Sequence, residues 1–535
     1  MFSSKKKNEL LRKNWGKPII RYRDMELIAN YHNSLPKESD ENLVDNKTWN
    51  DLDFDTIFAV IDRSTSGIGQ QYLYHLLHKY ETEAVLKKRF ELVSFFKEDN
   101  ETREKVQNSL SNLSGVPSYF ISYLVLCKSL PYTKYYKFFY LLSVLLPLSL
   151  ILISASGIFL FVALSILVGN VIINKIYSNQ IYQFYSGFSS FNSLLNSAIK
   201  ISKIPTEKEI EELELLKKKR ELLKSIKKKL GYLVIDKESL NELAVVVIEY
   251  LNLFFLFDLI AYNRSVNSLL KYREDMREVF KAVAGLDAAI SIASYLQETK
   301  NYSNPVFNNS ETISFEDMYH PLIKDAVPNS LRNIVKSVLI TGSNMSGKTT
   351  FIKTFGVNMI LSQTLYISLS NTFNIPRYEV KTSIKRNEEM EEGKSYFFVE
   401  IEAIKQFINL SGNRNKFIFL IDEIFRGTNT IERLSASTAV LKYLNVENKV
   451  FVTTHDIELQ ELLHNSFYMY HFSEQVEEKR FFFNYKINEG PCTAGNAIKL
   501  LEITGYPEKI INEANSIVND ILLSNYGVKG SRGKE

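Results

Sequence analysis

Cysteine and tryptophan are nearly missing from this chain, with two of each in 535 residues. Cys127 and Cys492 lie far apart and fit no metal-ligand spacing. That argues against a disulfide framework and for a reducing compartment. No charge sign dominates either, since 65 basic and 61 acidic residues leave a net charge of +4. So small a sum decides nothing about nucleic acid, because local patches matter more. The basic start, MFSSKKKNELLRKNW, is not followed by an apolar run and is not read as a secretory signal. Apolar residues at 45% and charged residues at 24% are those of a globular protein. The length suggests three or four domains at about 150 residues each.

One stretch lacks charge altogether. From Phe138 to Ile173 the chain reads FFYLLSVLLPLSLILIS, ASG, IFLFVALSILVGNVII. As one helix this run would be ~54 Å long, well beyond a ~30 Å hydrocarbon layer. Two helices joined by a turn at Ser154–Gly157 fit better. Lys134 and Lys137 before the pair and Lys175 after it place both ends in the cytosol and the turn outside. The competing reading is a buried hairpin of a soluble protein, which would normally show a polar stripe. A second apolar stretch, Leu243–Tyr262, contains Glu249, Asn252 and Asp258. Carboxylates are costly at mid-membrane, so it is read as a buried helix of a helical domain.

Residues 1–130 and 178–300 have helical texture. Thr206–Leu230 begins acidic and ends basic, matching a helix dipole. Its Lys217–Arg220 and Lys227–Lys229 clusters are either a solvated face or a contact for nucleic acid or lipid headgroups. After about residue 300, β-rich runs alternate with helical ones. KSVLIT leads into a helix from Lys348, KFIFLID into one from Ile431, and KVFVTT into one from Ile457. That alternation predicts an α/β domain with a largely parallel sheet.

Chemistry concentrates at the ends of those strands. TGSNMSGKTT matches G-x-x-x-x-G-K-[ST] at Gly342, Gly347, Lys348 and Thr349. Glycines let backbone N–H groups curl around phosphate oxygens, and the following helix aims its positive end at them. Gly342, Ser343, Asn344, Met345, Ser346, Gly347, Lys348, Thr349 and Thr350 are therefore the candidate nucleotide cradle. Lys348 would reach the β- and γ-phosphates, and Thr349 would ligate Mg²⁺. Asp422 and Glu423 end an apolar strand at the edge where ligands sit in open α/β sheets. Asp422 is the second Mg²⁺ candidate, and Glu423 the group to orient or deprotonate an attacking water. His455, ending another strand, could hydrogen-bond the γ-phosphate or that water. LSGN at Leu410–Asn413 looks like a transporter signature, but it lies too close to Asp422 and is read as a helix-ending turn.

TGSNMSGKTT, LIDEIFRGTNTIERLSAS and FVTTHDIEL resemble, in order and spacing, the MutS DNA mismatch-repair ATPases. Asp422, Glu423, Ile424, Arg426, Gly427 and Thr428 match that family's second motif, while Phe425 replaces a glycine. GKSYFFVEI is similar to its STFMVE signature, which implies that Ser395 reaches across a dimer interface to the partner's nucleotide. Phe397, Val399 and Glu400 also fit. Upstream, YHPLI at Tyr319–Ile323, VIDRSTSGIGQQYL at Val60–Leu73 and GLDAAISIASYL at Gly285–Leu296 resemble the family more weakly. So does the tail INEGPCTAGNAIKLLEITGYPEKIINEA. The departures are as telling. The roughly 50 residues before the core do not hold the family's mismatch-reading and connector domains, the phenylalanine–glutamate wedge is missing, and AVPN near Ala326 lacks an aromatic for adenine. Mismatch reading is therefore not expected.

The resemblance implies an ABC/MutS-like P-loop NTPase domain of α/β fold at 315–520, followed by a flexible tail at 521–535. An all-α core would occupy 51–135 and 177–314, interrupted by a transmembrane hairpin at 136–176, with a basic helical extension at 1–50. It further implies ATP bound with Mg²⁺ and hydrolysed at a homodimer interface, moving helical arms, with sequence-nonspecific DNA as a further partner. The expected location is the cytoplasmic membrane with the ATPase domain in the cytoplasm. The alternative is a membrane-anchored, ATP-gated scaffold or remodelling protein with no DNA role.

Overall fold

The computed structural model describes all residues except 1–3, 37–41, 128–129, 131–132, 134, 231–241, 344–345, 385–395, 413–415, 478–479, 493–497, 499–500, 503 and 528–535. The chain divides into two compact units: Met1–Glu41 with Thr56–Lys300, and Asn42–Asp55 with Asn301–Glu535.

The first unit is helical. Its early helices are α1 (Ser4–Asn14), α2 (Met25–Ser34), α4 (starting at Phe54 and ending at Ile61), α5 (Gly67–His78), α6 (Glu83–Glu98), α7 (Asn100–Leu110) and α8 (Phe120–Leu126), while α3 (Asn46–Asp51) belongs to the second unit. Short polar side chains start several of them: Asp24, Ser66 and Asp99 accept from the backbone N–H three residues on, satisfying a donor that has no partner inside the helix. The centre of the unit is α15 (Arg273–Glu298), packed on α5 and α6. It is apolar and long enough to cross a membrane, yet 89% of its apolar window is buried. One carboxylate in it, that of the fully buried Asp287, accepts from the N–H groups of Thr65 (2.9 Å) and Ser66 (2.8 Å). These donors hold the VIDRSTSG segment against α15. Burial still pushes the Asp287 carboxyl up to about 6, against the pull of those hydrogen bonds.

The charge-free run forms two helices, α9 (Tyr136–Leu152) and α10 (Ile158–Ile201), joined through Ile153–Gly157. The turn falls where Ser154–Gly157 predicts it. α10 continues far past the charge-free run, as a 44-residue helix. Only 11% of its window Ile158–Tyr177 is buried, at a mean hydropathy of 2.1.

Two expectations for this unit need correction. Thr206–Leu230 is not one helix but α11 (Glu211–Lys218) and α12 (Arg220–Leu230). At the joint, Lys219 pairs with Asp275 (2.5 Å) and Glu278 (2.8 Å), and Arg220 Nε donates to Ser202 Oγ at 2.9 Å. These anchors tie the junction down at residues that helix propensity alone would run through. Likewise Leu243–Tyr262 is not one buried helix. α13 (Glu242–Phe255) and α14 (Phe257–Lys271) meet at 72°, with Leu256 between them in the left-handed region at φ 56°. α14 is largely buried, whereas Val246, Val247, Tyr250 and Leu251 of α13 are exposed.

The second unit is α/β. Strands β4 (Ser337–Thr341), β6 (Glu379–Ser383), β7 (Phe417–Asp422), β8 (Lys449–Thr454), β9 (Phe467–Glu477) and β10 (Arg480–Glu489) form a sheet in the order β10-β9-β4-β8-β7-β6. Its five strands β6, β7, β8, β4 and β9 run parallel, and β10 closes the edge antiparallel to β9. β4 is buried at every residue and β7 and β8 at all but one, which explains their continuous apolar runs. Helices α16 (Lys348–Thr364), α17 (Tyr396–Ser411), α18 (Thr430–Leu444) and α19 (Glu458–Leu463) connect the strands. A smaller sheet, not foreseen from sequence, has β1 (Val306–Phe307), β2 (Ile313–Met318), β3 (Asn329–Ile334) and β5 (Thr372–Ile375) in the order β1-β5-β2-β3.

The unit begins earlier than residue 315 and borrows Asn42–Asp55 from the N-terminal region. There, the Asp51 carboxylate accepts from Thr382 Oγ1 (2.8 Å) and the Ile384 N–H (2.9 Å) at the end of β6, and Asp53 pairs with Lys353 of α16 at 2.8 Å. Near the C-terminus, α20 (Glu508–Gly527) continues into the stretch expected as a flexible tail.

Candidate nucleotide-binding site

β4 delivers the chain to the middle of the sheet and stops at Thr341. Gly342 follows at φ 142°, and Gly347 at φ 107° precedes α16. Both need glycine. A Cβ on Gly342 would lie 2.7 Å from the Phe472 carbonyl oxygen, and one on Gly347 would lie 3.3 Å from the Tyr485 ring. Between them, Ser346 Oγ donates to the Ser343 carbonyl at 2.9 Å. Thr350 lies in the first turn of α16. Asn344, Met345 and Ser395 lie outside the described residues.

Lys348 opens α16 and is buried. Its Nζ donates to the carbonyl oxygens of Gly342 and Ser343, both at 2.7 Å. The ammonium thus lies over the loop beside the positive end of a helix. Thr349 Oγ1 donates to Asp422 Oδ2 at 2.9 Å, and Thr453 Oγ1 donates to the other oxygen of the same carboxylate. Thr453 faces Asp422 in the β7–β8 register.

Glu423 steps out of β7 in the left-handed region at φ 59°, its N–H donating to the Thr453 carbonyl at 2.9 Å. That turn aims its nearly buried carboxylate at Arg426 and at His455 Nε2, 2.6 Å away. On the other side of the ring, His455 Nδ1 lies 2.9 Å from the Gly342 carbonyl. A carbonyl only accepts, so a hydrogen bond to Gly342 takes its proton from Nδ1. Burial and then the Lys348 ammonium push the His455 pKa below the ordinary imidazole range; the Gly342 carbonyl, Asp422 and Asp456 oppose that shift.

α17 grips the loop after Glu423. Its Glu400 carboxylate accepts from the Phe425 N–H, its Phe397 ring meets the Phe425 ring edge-on at 6.2 Å, and a Cβ on Gly427 would lie 2.7 Å from Phe397 Cβ. The structure therefore brings together Gly342, Ser343, Ser346, Gly347, Lys348, Thr349, Asp422, Glu423 and His455. Residues 338–522 match the family model described as MutS domain V.

This part of the chain is homologous to MutS proteins. Similar relatives are DNA mismatch repair protein MutS of Lactobacillus delbrueckii subsp. bulgaricus, 28% identical over 257 residues (46% of this chain, 30% of the relative), and of Alkaliphilus oremlandii, 27% identical over 270 residues (48% and 30%). With MutS of Petrotoga mobilis the likeness reaches 367 residues at 28% identity, or 65% of this chain and 41% of the relative. The chain thus spans well under half the length of the curated relatives it matches.

Several residues of the MutS domain V region were not singled out by sequence. Thr453 holds Asp422; its only signal was its place at a strand end beside His455. Arg433 binds Asp456 through Nε and Nη2, each at 2.8 Å, fixing the residue after His455. Tyr485 is exposed, at φ 53°, next to Gly347 and where the β9–β10 register shifts. Its strand gave no hint of that placement, because a bulge re-aims side chains without a sequence period. Before that region, in the YHPLI segment that sequence did single out, His320 accepts the Leu322 N–H at Nδ1 (3.2 Å), and burial pushes its pKa down to about 4.

Proposed function

We propose that this chain is a MutS-type ATPase, held at a membrane by its apolar hairpin, that hydrolyses ATP between two copies and moves its helical arms with nucleotide state. The observation that carries the catalytic part is the convergence of Lys348, the Thr349–Asp422 pair and the Glu423–His455 pair on one glycine-bounded loop. The Lys348 hydrogen bonds to Gly342 and Ser343 go to carbonyl oxygens, and phosphate oxygens are stronger acceptors for an ammonium. Thr349 and Asp422 already place a hydroxyl and a carboxylate oxygen together, and Mg²⁺ takes one or two carboxylates plus phosphate oxygens and water. That donor set fits the ion, whose charge would offset that of the phosphates. Glu423 orients the attacking water, and His455, pinned by Gly342 and Glu423, meets the γ-phosphate. The exposed Tyr485 ring beside Gly347 offers a flat face for the base. Ser395 of a second copy would complete the site.

Glu423→Gln is expected to retain ATP binding by calorimetry and to lower turnover by at least ~100-fold, the scale of a lost general base. Lys348→Ala should lose the nucleotide itself. Turnover that survives Glu423→Gln would remove Glu423 from the catalytic role.

Membrane attachment is supported by the exposed surface of the charge-free part of α9 and α10, between Phe138 and Ile173. A DNA contact is favoured by one specific feature. In α12, Leu223, Ile226 and Leu230 are buried, while Lys224, Lys227 and Lys228 stand exposed on the other side, continuing Lys217 and Lys218 of α11. Phosphate binding there would be sequence-nonspecific and steeply salt-dependent. A gel shift that is absent, or indifferent to salt, would leave the anchored ATP-gated scaffold as the better reading.

A further inference from the structure

The faces of α13 are arranged the wrong way round for a helix in water. Among its described side chains, the one that is buried is polar. Asn252 is buried, and its Nδ2 donates to Asp258 Oδ2 at 2.7 Å across the break at Leu256. A helix break leaves carbonyls outside the hydrogen-bond ladder. Here the Phe254 carbonyl accepts from Nδ2 of the fully buried Asn170 on α10 at 2.6 Å, while the Asn252 carbonyl keeps its ladder bond from the Leu256 N–H at 2.9 Å and Asn174 Nδ2, also on α10, adds a longer one at 3.4 Å. Its outward side is apolar: Val246, Val247, Tyr250 and Leu251 form an exposed stripe on successive turns, and Phe257 is exposed just past the break.

A freed carbonyl satisfied from within, with apolar side chains outward, is what a hydrocarbon environment demands of a broken helix. A water-facing elbow could leave the same carbonyls to solvent. Depth follows from two further facts. Asn170 lies ~18 Å of helix beyond Ile158 at the hairpin turn, close to where the charge-free run ends. Glu249 is exposed on the outer side of α13, which suits the headgroup boundary and not mid-bilayer.

We infer that the α13–α14 elbow is a third membrane contact, a shallow re-entrant segment seated on the lipid surface beside the base of the α9–α10 hairpin. This rests on the membrane reading of that hairpin and extends it to a segment whose carboxylates had argued against lipid.

The test uses the full chain with Cys127 and Cys492 replaced by serine, reconstituted in phosphatidylcholine–phosphatidylglycerol vesicles. An environment-sensitive fluorophore is attached at Leu251→Cys, at Val247→Cys one turn away, or at Leu160→Cys in the hairpin. Nitroxide lipids labelled shallow or deep act as quenchers. All three sites should shift to the blue; Leu160 should be quenched most by the deep label, and Leu251 and Val247 most by the shallow one. Aqueous emission at either elbow site with a quenched Leu160 overturns the inference and leaves the hairpin standing. Aqueous emission at all three removes both.

Discussion

Phe425 occupies a backbone at φ 59° that glycine adopts more easily, at the position where the resembled motif has glycine. A left-handed residue costs about 1–2 kcal/mol, so the ring must return more than that. It is buried in the cluster that includes Ile424, Phe407 and Leu441, edge-on to Phe397. Removing a buried phenylalanine typically costs about 3–5 kcal/mol. Packing therefore wins, and Phe425→Gly should destabilise the unit by about 2 kcal/mol net despite relieving the backbone. An unchanged or raised unfolding midpoint in urea would show that the ring contributes no packing. The motif residues themselves were legible because phosphate chemistry demands fixed types at fixed spacing. Thr453, Tyr485 and Arg433 were not, since each acts through a neighbour that sequence separates from it.

Among the elements, α15 and α10 show why apolarity alone misleads. Both contain a stretch apolar and long enough to cross a membrane, yet that stretch is 89% buried in α15 and 11% buried in α10. α15 is a core helix, and its Asp287 gives it a measurable signature. The folded pKa, pushed up to about 6 from 3.8, means that the native state binds the proton more tightly than the unfolded chain. Stability from this group is fully present below 3.8 and is lost as pH rises through about 6. The loss is roughly 2–3 kcal/mol at about 1.4 kcal/mol per pKa unit. Unfolding of the wild type measured across that window should therefore lose ground to Asp287→Asn, which cannot titrate there. Parallel pH profiles for the two proteins would show that the carboxyl does not titrate in the native unit.

At the level of the whole molecule, the chain enters its α/β unit twice, first with Asn42–Asp55 and finally from Asn301. The proposed orientation makes one direct demand. Ser156, exposed in the turn between α9 and α10, should lie outside the cell, so Ser156→Cys should react with an impermeant maleimide on intact cells. Labelling that appears only after lysis would reverse or abolish the hairpin topology.

The residue order alone determined the glycine-bounded loop proposed as the nucleotide cradle, the strand-end acids and histidine, the α/β texture after residue 300, and a hairpin turn near Ser154–Gly157, because each is a local pattern with a local physical cause. Tertiary structure alone decided which apolar helices are buried, where Thr206–Leu230 and Leu243–Tyr262 break, that a segment near residue 50 belongs to the α/β unit, and that Glu423 turns toward His455. These depend on partners tens to hundreds of residues away, such as Asp275 for Lys219, Asn170 for Phe254 and Thr382 for Asp51. No window of sequence contains both members of such a pair.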